Sequence, residues 1–432
     1  MTGRPASQRL SALDAAFLQV EDAENRMQLA GMLLFEGPAP SYDDFRAAVA
    51  GRLLDLPRFR QRLAGSVLGL GRPRWVEDAA FDLDYHLSHV ALPAPGGEAE
   101  VEAHIDQLTT APLDLRRPVW ELGLVEGVGA GFAISLKVHH CMVDGLSIMD
   151  IFGALVDPLP VVARPVGTSR PAAARAGTSL RHRVGGTLAM LGQAPRSALN
   201  AGPSGPTRRT RYATLPLDDL RAVQQAAEAS LNTVVLTVVA GGLERYLHRR
   251  GEEVDRVHAF VPVNRRASDD RGRLGNQIAM TYPALPVGVM TARERLALVQ
   301  RSSTEAVRGH QPSTTATLMS ALGLAPAPLA GVLNRVLQLR AGLFNLTVTN
   351  VPGPPVPVHF LGRELELILG ATPLTRRHAL TVAVLSYAGR LTFSVTTDPR
   401  RLPDGTRLVD DIRAAADDLL AAFSTADPTP ER

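Results

Sequence analysis

FAISLKVHHCMVDGLSIMDIF, residues 132 to 152, is the stretch on which the reading of this chain turns. Phe132, Ile134, Leu136 and Val138 recur at every second position, the period of a strand, and the strand runs directly into His139 and His140. That period sends adjacent side chains to opposite faces, so the two histidines are expected in different surroundings. Asp144 and Gly145 then predict a turn, and LSIMDIFGAL predicts an apolar helix. The end of a strand, at the turn before a helix, is where α/β proteins commonly form a ligand cleft.

Two neighbouring histidines alone are weak grounds for a site, because a buried histidine is more often a satisfied core residue. A metal centre is disfavoured, since the spacing is not that of ligands one helical turn apart. No second ligand cluster is nearby, and adjacent strand residues cannot both reach one ion. The single cysteine, Cys141, excludes an intrachain disulfide framework and a Cys-rich zinc site, and agrees with a reducing compartment. The first twenty residues carry no long apolar run, and no stretch reaches the ~20 residues of a membrane-spanning helix. A cytoplasmic protein that does not span a bilayer is expected.

The chain has 432 residues, 45% of them hydrophobic, enough to bury a substantial core and long enough to predict two domains. Its 46 basic residues are almost all arginine, Lys137 being the one lysine, and they are scattered with little aromatic interleaving. That pattern disfavours nucleic acid as a partner. From Pro158 to Arg211 the texture changes to Pro, Gly, Ala and Ser with nine arginines and no acidic residue. We read a first domain over 1–156, a linker over 157–211 with one short helix around Ser179 to Leu191, and a second domain over 212–432. In the second domain, LPLDDLRAVQQAAEA starts with Asp residues placed for helix capping, and LNTVVLTVVAGGLERYLHRRG predicts a buried helix stopped by Gly251. VHAFVPVN, FNLTVTNV, LELILG and a hairpin turning at Ala388 and Gly389 supply strands, and an amphipathic helix closes the chain around Val409 to Phe423.

The string His139, His140, three residues, Asp144, Gly145 is far more specific than the pair. It resembles the HHxxxDG signature of the chloramphenicol-acetyltransferase-like superfamily. LSALDAAFLQVEDAENRMQLAGMLLFEG, PLDLRRPVWELGLVEG, the helix followed by VPVNRR, LGNQIAMTYPALP, TNVPGPP and LSYAGRLTFSVTTD occur in the order of the bacterial wax ester synthase/diacylglycerol acyltransferase family. The resemblance runs from Leu10 to about Phe423. It implies an α/β fold of two chloramphenicol-acetyltransferase-like domains with a tunnel between them, and His140 near its middle.

It implies transfer of a long-chain acyl group from acyl-CoA, as co-substrate with no bound cofactor, to diacylglycerol or a long-chain alcohol. An alcohol is a poor nucleophile until its proton is removed, and an imidazole of pKa near ~6.5 suits that task. The resemblance gives the role of general base to His140. His139 and Asp144 are read as supporting residues, the carboxylate fixing the turn. Asn276 is the candidate oxyanion donor, and Gly145, Asn350, Pro352 and Gly353 are candidate substrate-binding residues. Cys141 is the rival nucleophile. The chain has Asn232 followed by Thr233 where many members have Asn-Asp. A natural-product condensation enzyme and a non-catalytic lipid-binding protein are the alternative functions. Contact with a membrane or lipid-droplet surface follows from the insolubility of the expected substrates.

Overall fold

The computed structural model describes residues 8–65, 72–142, 145–157, 194–200, 205–264, 278–308 and 344–424. The expected helix at Ser179 to Leu191, most of the linker, Asp144 and Asn276 lie outside the described residues. In chain order the first half holds β1 (Gln8–Arg9), α1 (Ala12–Val20), β2 (Gln28–Phe35), α2 (Tyr42–Leu53), β3 (Gln61–Ala64) and β4 (Arg74–Glu77). It continues with α3 (Leu83–His86), β5 (Leu87–Ala91), α4 (Glu98–Thr110), β6 (Trp120–Val128), β7 (Gly131–His139) and α5 (Gly145–Leu155). The second half opens with β8 (Arg209–Pro216), α6 (Leu217–Ala226), α7 (Leu231–Arg249), β9 (Arg256–Asn264), β10 (Ile278–Thr281) and β11 (Ala284–Pro286). It ends with α8 (Ala292–Arg308), β12 (Leu346–Pro352), β13 (His359–Phe360), β14 (Arg363–Ala371), β15 (Leu380–Tyr387), β16 (Arg390–Thr397) and α9 (Leu408–Ser424).

Local chemistry explains the element ends. Ser11 and Ser230 cap α1 and α7, each hydroxyl accepting the backbone N–H three residues on at 3.0 Å. Gly251, at φ 72°, follows α7 where its last turn must unwind. The β15–β16 hairpin turns through Ala388 and Gly389, both at positive φ, the geometry that matches strand twist in a two-residue loop. α6 differs from expectation. Pro216 occupies its cap position without a side-chain bond, and Asp218 and Asp219 sit inside the first turn, where they favour the helix dipole instead.

Among the described residues, two large sheets and one small one (β1, β4, β3) organise the fold. The first large sheet runs β13-β14-β2-β7-β6-β5, and the second runs β10-β9-β12-β15-β16-β8 with β11 also on β9. The sheets do not keep to the boundary expected at residue 212. β13 and β14, from the second half, complete the first sheet, with Ala371 opposite Ala30 and Leu365 opposite Phe35. Apolar side chains of β14 enter both cores of the first sheet, Leu365 and Ile368 one, Leu369 and Ala371 the other, before the chain returns to β15. α7 lies in the second core, its Val234 to Leu243 face fully covered by α9 and the second sheet.

Candidate functional site

β7 ends at His139, and the chain turns at His140, so the two rings part as the two-residue period requires. His139 is 1% exposed. Its Nδ1 accepts the backbone N–H of Cys141 at 3.0 Å, and its Nε2 faces Glu21 Oε2 in a short contact. A ring nitrogen that accepts cannot carry the proton, so Nε2 carries it and donates to Glu21. Glu21 also accepts the N–H of Met27 at 3.3 Å, and Met27 O accepts the N–H of His140 at 2.7 Å. Glu21 therefore fixes both histidines, one through its ring and the other through the backbone of Met27. The His140 ring stacks on Phe17, centroids 4.0 Å apart and planes at 21°.

Glu21 and Phe17 are the residues that sequence reasoning passed over. They stand four apart at the end of α1, one helical turn, which brings them to the same side. The only signal was that spacing within a segment read for its family resemblance.

His140 lines a cavity of about 300 Å³ between the two large sheets. Its walls come from β2, β7 and β14 of the first sheet, β12 and β15 of the second, and α5. The lining is apolar, as in Leu33, Phe152, Ile368 and Leu385. Among the described residues its polar side chains are His140, Thr349, Asn350 and Thr372. Gly31 and Gly370 face each other across β2 and β14 and keep the floor open. An apolar chamber with few polar groups suits a hydrocarbon chain that carries one reactive end.

The structure brings Asn350 and Pro352 to the wall. Asn350 Nδ2 donates to Asn232 Oδ1 at 3.4 Å. Thr233, buried beside it, closes the cap of α7 through Ser230 at 2.8 Å, a part a neutral hydroxyl fills without a carboxylate. Gly353 lies just off the wall and acts by close approach. Its N–H donates to Ser386 O at 2.9 Å, and a Cβ there would stand 2.2 Å from that oxygen. Gly145 is the first residue of α5. The Cys141 thiol is 1% exposed, and burial pushes it well above its ordinary range, with the Asp14 and Glu21 charges adding to the effect. A neutral, enclosed thiol is a poor nucleophile. Among the described residues no group of three or more His, Cys, Asp or Glu side chains could hold a metal ion.

Comparison with known proteins bears on the fold and the family. A family model described as the wax ester synthase/diacylglycerol acyltransferase catalytic domain matches residues 10–188 and 153–235, and one described as the WS/DGAT C-terminal domain matches 274–419. The probable diacylglycerol O-acyltransferase tgs1 of Mycobacterium tuberculosis H37Rv is 31% identical over 95% of this chain and 96% of its own length. The related tgs2 of that strain is 31% identical over 94% and 97%. The solved wax ester synthase/diacylglycerol acyltransferase of Marinobacter aquaeolei VT8 superposes with TM-score 0.72 at 28% identity, covering 96% of this chain and all of that one (100%). The first condensation domain of the calcium-dependent antibiotic synthetase, at 18% identity, TM-score 0.66 and coverage of 98% and 97%, shares the fold.

Proposed function

The chain belongs to the wax ester synthase/diacylglycerol acyltransferase family, and from that premise we propose that it moves a long-chain acyl group from acyl-CoA to the hydroxyl of diacylglycerol or of a long-chain alcohol. One observation carries the reading: His140 stands at the wall of an apolar cavity between the two sheets, held through the Glu21 and Met27 contacts.

In this mechanism the His140 imidazole takes the acceptor's hydroxyl proton as the oxygen attacks the thioester carbonyl carbon. The carbonyl π pair moves to oxygen, giving a tetrahedral oxyanion. Its collapse breaks the carbon–sulfur bond, and the departing thiolate receives the proton from the imidazolium. Ester and free CoA leave, and no covalent enzyme intermediate forms. A positioned base contributes roughly 100-fold to 10,000-fold. His139, with its proton committed to Glu21, serves as support. Asn276 is proposed as oxyanion donor and Asp144 as support for the turn, on the family resemblance. Asn350 and Pro352 are proposed to border the substrate, with Gly353 and Gly145 shaping the backbone beside it.

The proposed acceptors partition into lipid. The reading therefore places the protein in the cytoplasm at the inner membrane face or at lipid inclusions, bound peripherally. Among the described residues no single helix is long and apolar enough to cross a membrane. The test is CoA release from palmitoyl-CoA by purified protein given hexadecanol, dioleoylglycerol or no acceptor, with the lipid product resolved by chromatography. Release that depends on acceptor, with matching ester, is expected; a protein that binds these lipids without turnover would sink the reading.

A further inference from the structure

Thr372 follows the last residue of β14, in the run Ile368 to Thr372 that lines the cavity, and by the two-residue period it shares a strand face with Ile368 and Gly370. Its Oγ1 is buried and has no hydrogen-bond partner among the described residues. Its carbonyl is already engaged, accepting from Thr381 Oγ1 at 3.3 Å. Of the other polar side chains of the wall, Asn350 bonds Asn232 and His140 is the proposed base, while Thr349 lies on β12 of the facing sheet. A buried hydroxyl with no partner is unfavourable, and such a group in a cavity wall calls for a ligand atom to satisfy it. One staggered step in χ1 carries the hydroxyl into the position the methyl holds, with the methyl taking that of Hβ, and so changes which side of the strand end it serves.

Register gives its place relative to the reaction. Ala371 lies opposite Ala30, and Ala30 opposite Lys137. Thr372 is therefore two strands across from His140 and two residues short of it along the sheet. With ~4.8 Å between strands and ~3.3 Å per residue, the two Cα atoms stand roughly 12 Å apart. The side chains of both residues take up part of that span, and the remainder is a few covalent bonds of substrate. The reacting thioester carbonyl must sit at His140, and a fatty alcohol carries no second polar atom. Diacylglycerol does: its glycerol unit carries two esters besides the free hydroxyl, at least one of them on the neighbouring carbon, and each ester carbonyl is a hydrogen-bond acceptor.

We propose that the Thr372 hydroxyl donates to an ester carbonyl of a diacylglycerol acceptor and so favours diacylglycerol over a simple long-chain alcohol. This rests on the acyl-transfer reading above. The amide carbonyls of the CoA arm have the same chemistry, but a bond to them would serve both acceptors equally.

The test measures kcat/KM for dioleoylglycerol and for hexadecanol, with palmitoyl-CoA, in the wild type, Thr372→Val and Thr372→Ser. Valine keeps the shape and removes the donor; serine keeps the donor. The dioleoylglycerol-to-hexadecanol ratio is expected to fall about tenfold in the valine protein and to return in the serine protein. A dialkylglycerol with ethers in place of esters gives a check independent of folding, since the wild type is expected to use it about tenfold less well than the diester. An unmoved ratio, an equal fall with both acceptors, or equal use of ether and ester overturns the proposal. Wild-type protein that turns over neither acceptor defeats the acyl-transfer reading itself, which separates that failure from this one.

Discussion

His139 and His140 are adjacent in the chain and divided in their work, and the division comes from strand geometry. Alternation in Phe132 to Val138 made it legible that one ring would face inward and the other elsewhere. What the sequence did not display is the partner that holds them. Glu21 is 118 positions from His139, and no local period encodes a contact of that range. Cys141 shows the opposite case: its neighbourhood to His140 suggests a nucleophile, yet its burial and raised thiol argue for a packing role. Cys141→Ala is expected to retain acceptor-dependent CoA release while losing about 1 kcal/mol of stability to the small cavity left behind. Complete loss of turnover in a folded Cys141→Ala protein would restore the thiol as a rival.

Among the elements, those with strong local signals were readable in advance: the Ala388–Gly389 hairpin, α7 with its Gly251 stop, and the amphipathic α9. The loop between β14 and β15 was not, because what fixes it is a buried histidine. His378 Nε2 lies 3.0 Å from Phe344 O, Nδ1 lies 2.8 Å from Thr375 Oγ1 and 3.1 Å from Arg376 O, and the ring stacks on Phe344 at 4.0 Å. Burial pushes this imidazole down to about 4, outweighing its backbone hydrogen bonds, against 6.5 for a free one. The folded state thus refuses a proton that the unfolded chain accepts. Stability is full above about pH 6.5, falls as pH drops toward 4, and is flat below that, a loss of about 3 kcal/mol from this group. Denaturant midpoints measured across that window should fall less steeply in His378→Gln than in the wild type. Parallel slopes would show that the folded ring titrates normally.

Across the whole molecule, two halves were expected from composition, and two sheets are found, but the strands are not dealt out by halves. LELILG reads equally well as a strand of either sheet, since periodicity names a face and not a neighbour. The structure assigns β14 to the first sheet and pins its approach with Asp157, whose carboxylate accepts from Gly362 N–H at 2.9 Å, Leu361 N–H at 3.1 Å and Arg52 at 2.6 Å. Because β13 and β14 belong to one sheet and the strands before and after them, β12 and β15, to the other, calorimetry should record one cooperative transition. Asp157→Ala should lower that whole transition, by about 2 kcal/mol, and two separate transitions would contradict the shared architecture. The cavity lies between these joined sheets, and the central claim is that His140 performs the proton transfer there. The most direct measurement is acceptor-dependent CoA release from palmitoyl-CoA by His140→Ala beside the wild type, with both proteins shown to melt at the same temperature. The account predicts a fall of at least about 100-fold with hexadecanol and dioleoylglycerol alike. A folded His140→Ala protein that keeps wild-type turnover would contradict it.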